Sequence, residues 1–171
     1  AIGVTIGHEI SHAFDDKGSQ FDGDGNLRNW WTKEDRDNFD KRTGLLANQY
    51  SQYEVLPGRK LNGELTLGEN IADLGGAKAA FRAYKISLKG EPSPIIDNYT
   101  GEQRFFIGTA QSDRVKFRDE IYEMRVATSV HSPSRYRVDG VIINMKEFHK
   151  AFSTEKGDKL YKSDNDIILI W

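Results

Sequence analysis

Two histidines stand four residues apart with a glutamate between them: His8-Glu9-Ile10-Ser11-His12. In a helix, residues i and i+4 share a face with their Cβ atoms about 5–6 Å apart. Two imidazoles at that spacing can reach one Zn²⁺ at about 2.0–2.1 Å, and the intervening glutamate points beside the metal, where a general base is wanted. The string alone is also open to a plainer reading, a solvated helix face with two histidines. A third ligand is needed, and Glu69-Asn70-Ile71-Ala72-Asp73 offers one. Glu69 would complete a His₂Glu set with one position open for water, the catalytic arrangement. Asp73, one turn further along, could accept the free ring N–H of a ligating histidine, fixing its tautomer and raising its basicity. A second reading of the same residues stays open here. Thr66 and Glu69 have the spacing of a helix capping box, and residues 69–73 could be a solvated acidic face.

Composition narrows the chemistry further. Cysteine is absent, which excludes disulfides and thiolate metal sites, and there are four histidines, His8, His12, His131 and His149. Any metal must rest on imidazole and carboxylate. The balance of 24 Lys+Arg against 26 Asp+Glu gives a net charge of −2, without the basic bias or the aromatic-interleaved basic stripe of a nucleic-acid binder. No apolar run approaches the roughly 18 residues of a membrane span, so no membrane contact is expected from this segment, and no signal-peptide pattern opens it. Nine Phe, seven Tyr and three Trp in 171 residues argue for a packed core of one domain rather than a disordered tail.

The elements that must position these residues are mainly helical. Ala1 to Ile10 carries a helical pattern without a cap or an initiator Met, as in a fragment cut at a helix. Lys17 to Asn29 reads as a loop. Thr32 with Asp35 starts a helix over Lys33–Tyr53, and Pro57-Gly58 breaks it. Asn62-Gly63 has the residues of a tight hairpin turn. Thr66 opens a long helix to about Leu88. Thr100 caps another through Ala110, and a further helix covers Phe117–Ala127. Ser129 to Val141 reads as irregular, and Asn144 with Glu147 caps a short helix carrying Phe148 and Phe152. The tail from Gly157 is loop, ending in a strand-like Ile167–Trp171. Asp22-Gly23-Asp24-Gly25-Asn26 suggests a calcium loop, but Leu27 stands where Gly is needed and Lys33 where Glu is needed.

The motifs resemble those of the gluzincin zinc peptidases, and within them the neprilysin family (endothelin-converting-enzyme and bacterial oligoendopeptidase O types). Three blocks in order carry the likeness: Ile6-Gly7-His8-Glu9-Ile10-Ser11-His12-Ala13-Phe14-Asp15-Asp16, Gly68-Glu69-Asn70-Ile71-Ala72-Asp73-Leu74-Gly75-Gly76 and Val130-His131-Ser132-Pro133-Ser134-Arg135-Tyr136-Arg137-Val138. The terminal Trp171 also falls where family chains end. The resemblance implies a thermolysin-like fold: residues 1–171 would be the helical C-terminal catalytic portion of a longer zinc metalloendopeptidase, with short hairpin or strand pieces. It further implies one Zn²⁺ held by His8, His12 and Glu69, with Glu9 as the general base assisting attack of zinc-bound water on oligopeptides. Asp73 would support a ligating histidine, His131 would donate to the oxyanion, and Arg137 would bind a substrate carbonyl. Without the family, His131 reads as a loop histidine, Arg137 as a surface charge and His149 as structural.

The departures from the family pattern also matter. Asp113 stands where a Trp is common and Thr5 where an aliphatic residue is, both lining the pocket for the side chain after the scissile bond; a preference there for bulky apolar residues is therefore in doubt. Ile168 stands where animal members carry Cys. With no cysteine at all, this favours a bacterial source, and the cell envelope or exterior over the cytoplasm. The backbone-binding strand and the covering helical domain of the family would lie upstream of residue 1. The rival expectation is a catalytically silent zinc-binding fragment that acts as an interaction unit.

Overall fold

The computed structural model describes residues 2–171. Helix α1 runs Ile2–Ser11 and continues into a 3-10 turn at His12–Phe14; Ala1, where the expected helix began, lies outside the described residues. Helix α2 (Lys33–Ser51) starts as its sequence implies, with Thr32 Oγ1 accepting from the Asp35 N–H at 3.1 Å. Phe39, Thr43, Leu46, Ala47 and Tyr50 are its buried residues, spaced at one face of a 3.6-residue repeat.

A two-stranded antiparallel hairpin follows, β1 (Glu54–Leu56) and β2 (Arg59–Lys60). Its turn is Pro57-Gly58, with Gly58 at φ +71°, not Asn62-Gly63 as the sequence suggested. Gly63 serves another purpose: its N–H bonds Ser51 Oγ, and a Cβ there would lie 2.0 Å from the Ala47 carbonyl oxygen of α2. Asn62 instead leads into α3 (Leu67–Ser87) by accepting from Leu65 N and Thr66.

Helix α3 is the centre of the molecule, buried without a break from Asn70 to Ala77. Its expected capping box does not form. Thr66 has near-helical backbone angles (φ −99°, ψ 7°), makes no cap, and uses its hydroxyl to accept from Asn70 Nδ2 and bond the Asn62 carbonyl. That frees Glu69 for the inner face. The most extensive helix contact is α1 on α3, and its close approach rests on two glycines. A Cβ on Gly7 would lie 2.8 Å from Gly76 Cα, and one on Gly76 would lie 2.5 Å from the His8 nitrogen. Backbone-to-backbone contact there brings His8 beside the first two turns of α3.

Helix α4 (Gly101–Ser112) has the full Thr100–Gln103 capping box, and α5 (Asp119–Thr128) follows. The stretch taken as irregular contains a helix, α6 (Ser134–Ile142), which begins directly after Pro133 with no side-chain cap. The Ser-Pro-Ser string marks a loop in the usual reading, but proline's fixed φ also suits entry to a helix. Helix α7 (Lys146–Phe152) is likewise not capped by Asn144. Asn144 is fully buried and bonds Gln49, the Gly140 carbonyl, Lys162 and the Ile168 N–H. The terminal segment buries Ile168 and Ile170 and exposes Leu169, the alternation of a strand, yet pairs with no strand among the described residues. Arg42 holds it through the Ile170 carbonyl, and Trp171 stacks on Phe39 at 5.4 Å.

Candidate metal centre

The α1–α3 crossing sets His8 and His12 against Glu69 and Asp73. The two imidazoles lie edge to face, 4.6 Å between centroids, with their Nε2 atoms 3.0 Å apart. Each Nδ1 is already engaged, His8 with Asp73 Oδ1 at 2.8 Å and His12 with Asp15 Oδ2 at 2.8 Å. A neutral imidazole donating from Nδ1 has a bare lone pair at Nε2. When both imidazoles are neutral, two such lone pairs face each other, and Glu69 joins them: Oε2 is 3.2 Å from His8 Nε2 and Oε1 is 3.8 Å from His12 Nε2. Glu69 Oε2 also lies 3.2 Å from His131 Nε2, but it is buried without an aligned hydrogen bond to any described residue. Converging lone pairs with an orphaned carboxylate oxygen call for a cation. Among the described residues, His8, His12 and Glu69 are the group whose ligand atoms all lie within 4.8 Å of one another. The nitrogen and oxygen donors suit Zn²⁺.

Around this set the other sequence candidates take their places. Asp73 is shared: Oδ1 accepts from His8 Nδ1 and, at 2.7 Å, from Arg137 Nη2, while Oδ2 accepts from Arg137 Nε at 2.8 Å. Burial pushes the Asp73 carboxyl up, but the Arg137 and His8 hydrogen bonds outweigh it and hold the group below its ordinary range. Glu69 is lowered in the same way, against burial, by His8, His131 and His12. Arg137, carried by the unforeseen α6, is a half-buried partner of Asp73 rather than a free surface charge. His131 is partly exposed above Glu69. Glu9 is exposed on α1 between the two histidines, and His149 is bound to Thr154 and the Ile143 carbonyl away from the centre. Thr5 is exposed and Asp113 half-buried. The Asp22 loop uses Asp22 internally, on Asp24 N, Asn26 N and Arg28.

Two contributors escaped the sequence reading. Asp15, which also accepts from Lys17 N and Gly18 N, orients His12 as Asp73 orients His8; its only signal was the i, i+3 spacing from His12. Ser132 Oγ donates to the buried Asn70 Oδ1 at 2.7 Å, tying the His131 loop to the residue after Glu69. Nothing in the local pattern signals that latch.

The sequence model of Peptidase family M13 matches residues 1–168. The chain belongs to peptidase family M13. Its M13 relatives include Neprilysin-3 of Drosophila melanogaster, 41% identical over 164 residues, covering 94% of this chain and 21% of the relative. Endothelin-converting enzyme 1 of Homo sapiens is 44% identical over 162 residues, covering 93% and 21%. Among solved structures, the zinc metalloprotease Zmp1 of Mycobacterium tuberculosis, crystallised with an inhibitor, superposes with a TM-score of 0.97 at 45% identity, over 100% of this chain and 27% of that one. PepO from Lactobacillus rhamnosis superposes with a TM-score of 0.84 at 36% identity, over 99% and 25%. The chain thus spans about a fifth of the curated relatives and about a quarter of the solved chains. The neprilysin-family resemblance and the mainly helical fold are borne out.

The donor set also fixes how metal loading depends on pH. Burial pulls the His8 imidazole down, but the hydrogen bond to Asp73, the Glu69 carboxylate 3.2 Å from Nε2 and the Asp73 charge raise it to about 9. Without a cation on Nε2, the proton's contribution to stability is full below the ordinary 6.5 and is lost as pH rises through about 9. A metal must displace that proton. Loading zinc at about pH 7.5 is therefore expected to release close to one proton from His8, and apparent affinity should climb about tenfold per pH unit up to about 9. Titration calorimetry in buffers of different ionisation heat measures this. A zinc-binding heat independent of buffer would contradict it.

Proposed function

We propose that this chain is the zinc-binding catalytic portion of a longer M13 metalloendopeptidase that hydrolyses oligopeptides. Supporting this most directly is the convergence of His8 Nε2, His12 Nε2 and the Glu69 carboxylate, with both Nδ1 atoms tied back to Asp73 and Asp15. One Zn²⁺ fits that set, and when bound it supplies Lewis acidity and a lowered pKa for its water. Glu9 accepts the proton of the attacking water and delivers it to the leaving amine. His131 Nε2, already directed at Glu69, donates to the oxygen that develops charge, where preorganised donors contribute most. Asp73 holds His8 and Arg137 together, and the Arg137 Nη1 not used in that fork is available for a substrate carbonyl.

A specific feature favours the silent-fragment reading for these residues in isolation. Helix α1 exposes Ile2, Ile6 and Ile10 at 74%, 54% and 64%, beside an apolar groove of about 530 Å³ lined by Val4, Ala80, Tyr84 and Phe105 among others. Apolar surface of that kind marks a docking face, and the upstream part of the same polypeptide is the fitting occupant. Extended peptides are commonly held by main-chain bonds to a strand edge, and such positioning supplies up to about 7–11 kcal/mol of a barrier. The experiment compares residues 1–171 with a polypeptide extended upstream, for zinc content and peptide turnover. One zinc in each, with turnover confined to the longer form, is the expected result. Equal turnover would show residues 1–171 to be self-sufficient, and less than about half an equivalent of zinc would sink the metal assignment itself.

A further inference from the structure

Three residues of α3 meet three residues of one short stretch of chain. Glu69 Oε2 lies 3.2 Å from His131 Nε2, Asn70 Oδ1 accepts from Ser132 Oγ at 2.7 Å, and Asp73 holds the Arg137 guanidinium with bonds of 2.7 and 2.8 Å. The first and last pairs consist of residues the proposed chemistry uses. The middle pair has no part in that chemistry, yet both of its members are buried, Asn70 completely. Asn70 is also held from its other end. Its Nδ2 donates to Thr66 Oγ1 at 3.0 Å, and the Thr66 hydroxyl donates to the Asn62 carbonyl. The amide cannot turn without stranding buried polar atoms, so Ser132 is fastened to a fixed point on the helix that carries Glu69.

His131 has no such anchorage of its own. Its partly exposed ring makes no hydrogen bond to a described residue and has only the Glu69 carboxylate facing it. The aim of the imidazole therefore depends on the backbone at residue 131. One tie on that backbone is local, the His131 N–H to Ser129 Oγ at 3.1 Å. The other is Ser132, whose bond to Asn70 crosses 62 residues of sequence and sets the loop against α3. The loop also borders a small cavity lined by Phe117, Tyr122 and Arg125, so packing on that side is incomplete and the hydrogen bond must supply the register. Just downstream, the Pro133 carbonyl accepts from the Tyr136 and Arg137 N–H groups at 2.7 and 3.2 Å. The same anchor thus leads directly into the turn of α6 that carries Arg137.

We infer that Ser132 is a positioning residue for the reaction: its hydrogen bond to Asn70 holds the loop so that His131 Nε2 meets the oxygen that develops charge. This rests on the peptidase reading above, and the test separates the two. An oxyanion donor works only when aligned within about 2.7–3.1 Å of that oxygen. The upstream-extended, zinc-loaded polypeptide is compared in four forms: unsubstituted, Ser132→Ala, His131→Ala and the double variant. Ser132→Ala is expected to keep one zinc and an unchanged KM and to lose kcat roughly tenfold, within the range for a misplaced group. His131→Ala should lose about 10²–10³-fold, the contribution of one oxyanion donor. The double variant should be no slower than His131→Ala, because a residue that acts only through an imidazole has nothing left to act on. A tie that merely supported the fold would make the two losses multiply. Multiplying losses, a full kcat in Ser132→Ala, a loss carried by KM, or loss of zinc or of the folded state in that variant would overturn the inference and leave the peptidase reading standing. If the unsubstituted zinc-loaded protein cleaves no peptide, or His131→Ala cleaves normally, that reading or its use of His131 fails, and the inference falls with it.

Discussion

Glu9→Gln in the upstream-extended polypeptide is expected to retain one zinc and to lose turnover by about 10²–10⁴-fold, the contribution of a positioned proton acceptor. The side chain is exposed and makes no hydrogen bond to a described residue, so the isosteric amide should change stability by no more than about 0.5 kcal/mol. It lies outside the ligand set of His8, His12 and Glu69, so metal content should not move. What changes is basicity: an amide cannot take a proton from water at neutral pH or return it to the leaving amine. The contrast is Glu69→Gln, which removes the anionic donor of the set and should release the metal along with activity. Zinc measured beside kcat for both variants distinguishes the roles. A Glu9→Gln protein without zinc, or one that turns over normally, would remove Glu9 from the mechanism.

The Glu69–Asp73 block and the histidine pair were legible because their chemistry is local. The i, i+4 spacing of His8 and His12 and the one-turn step from Glu69 to Asp73 survive in any helix, and both helices formed where their residue pattern put them, α3 without a side-chain cap. What sequence could not decide was whether Glu69 capped its own helix or faced the metal. The answer lies in the backbone of Thr66, already near-helical and so unable to reach its third amide. Helix α6 was hidden because Pro133 starts a helix without a polar cap, and with it was hidden the burial of Arg137. Asn144 resembles a cap, but its value lies in contacts up to 95 residues away, with Gln49. The Ser132–Asn70 latch was illegible for the same reason, since only the chain's path brings its partner near; Asp15 lies three residues from His12, a spacing too common to single it out.

Asp73 is where fold and site are most tightly joined, and its removal should be felt in both. Its carboxylate accepts three hydrogen bonds, two from Arg137 and one from His8, and is largely buried, as are its partners. Asn has one oxygen to offer and would point an N–H at a donor, leaving the Arg137 charge without its counterion. Breaking one side of such a pair is expected to destabilise the protein by about 3–5 kcal/mol. His8 would also lose the acceptor that fixes its tautomer, and zinc affinity should fall about 10–100-fold. The two effects can be told apart by adding Arg137→Leu. Removing the stranded guanidinium should restore part of the stability, because neither partner is then buried alone. It should leave zinc affinity low, since His8 Nδ1 still lacks its carboxylate. Denaturant unfolding and competitive zinc titration on the single and double variants measure both quantities. If zinc affinity returned together with stability in the double variant, Asp73 would be acting on the metal centre only through the fold, and its hydrogen bond to His8 would carry no separate role.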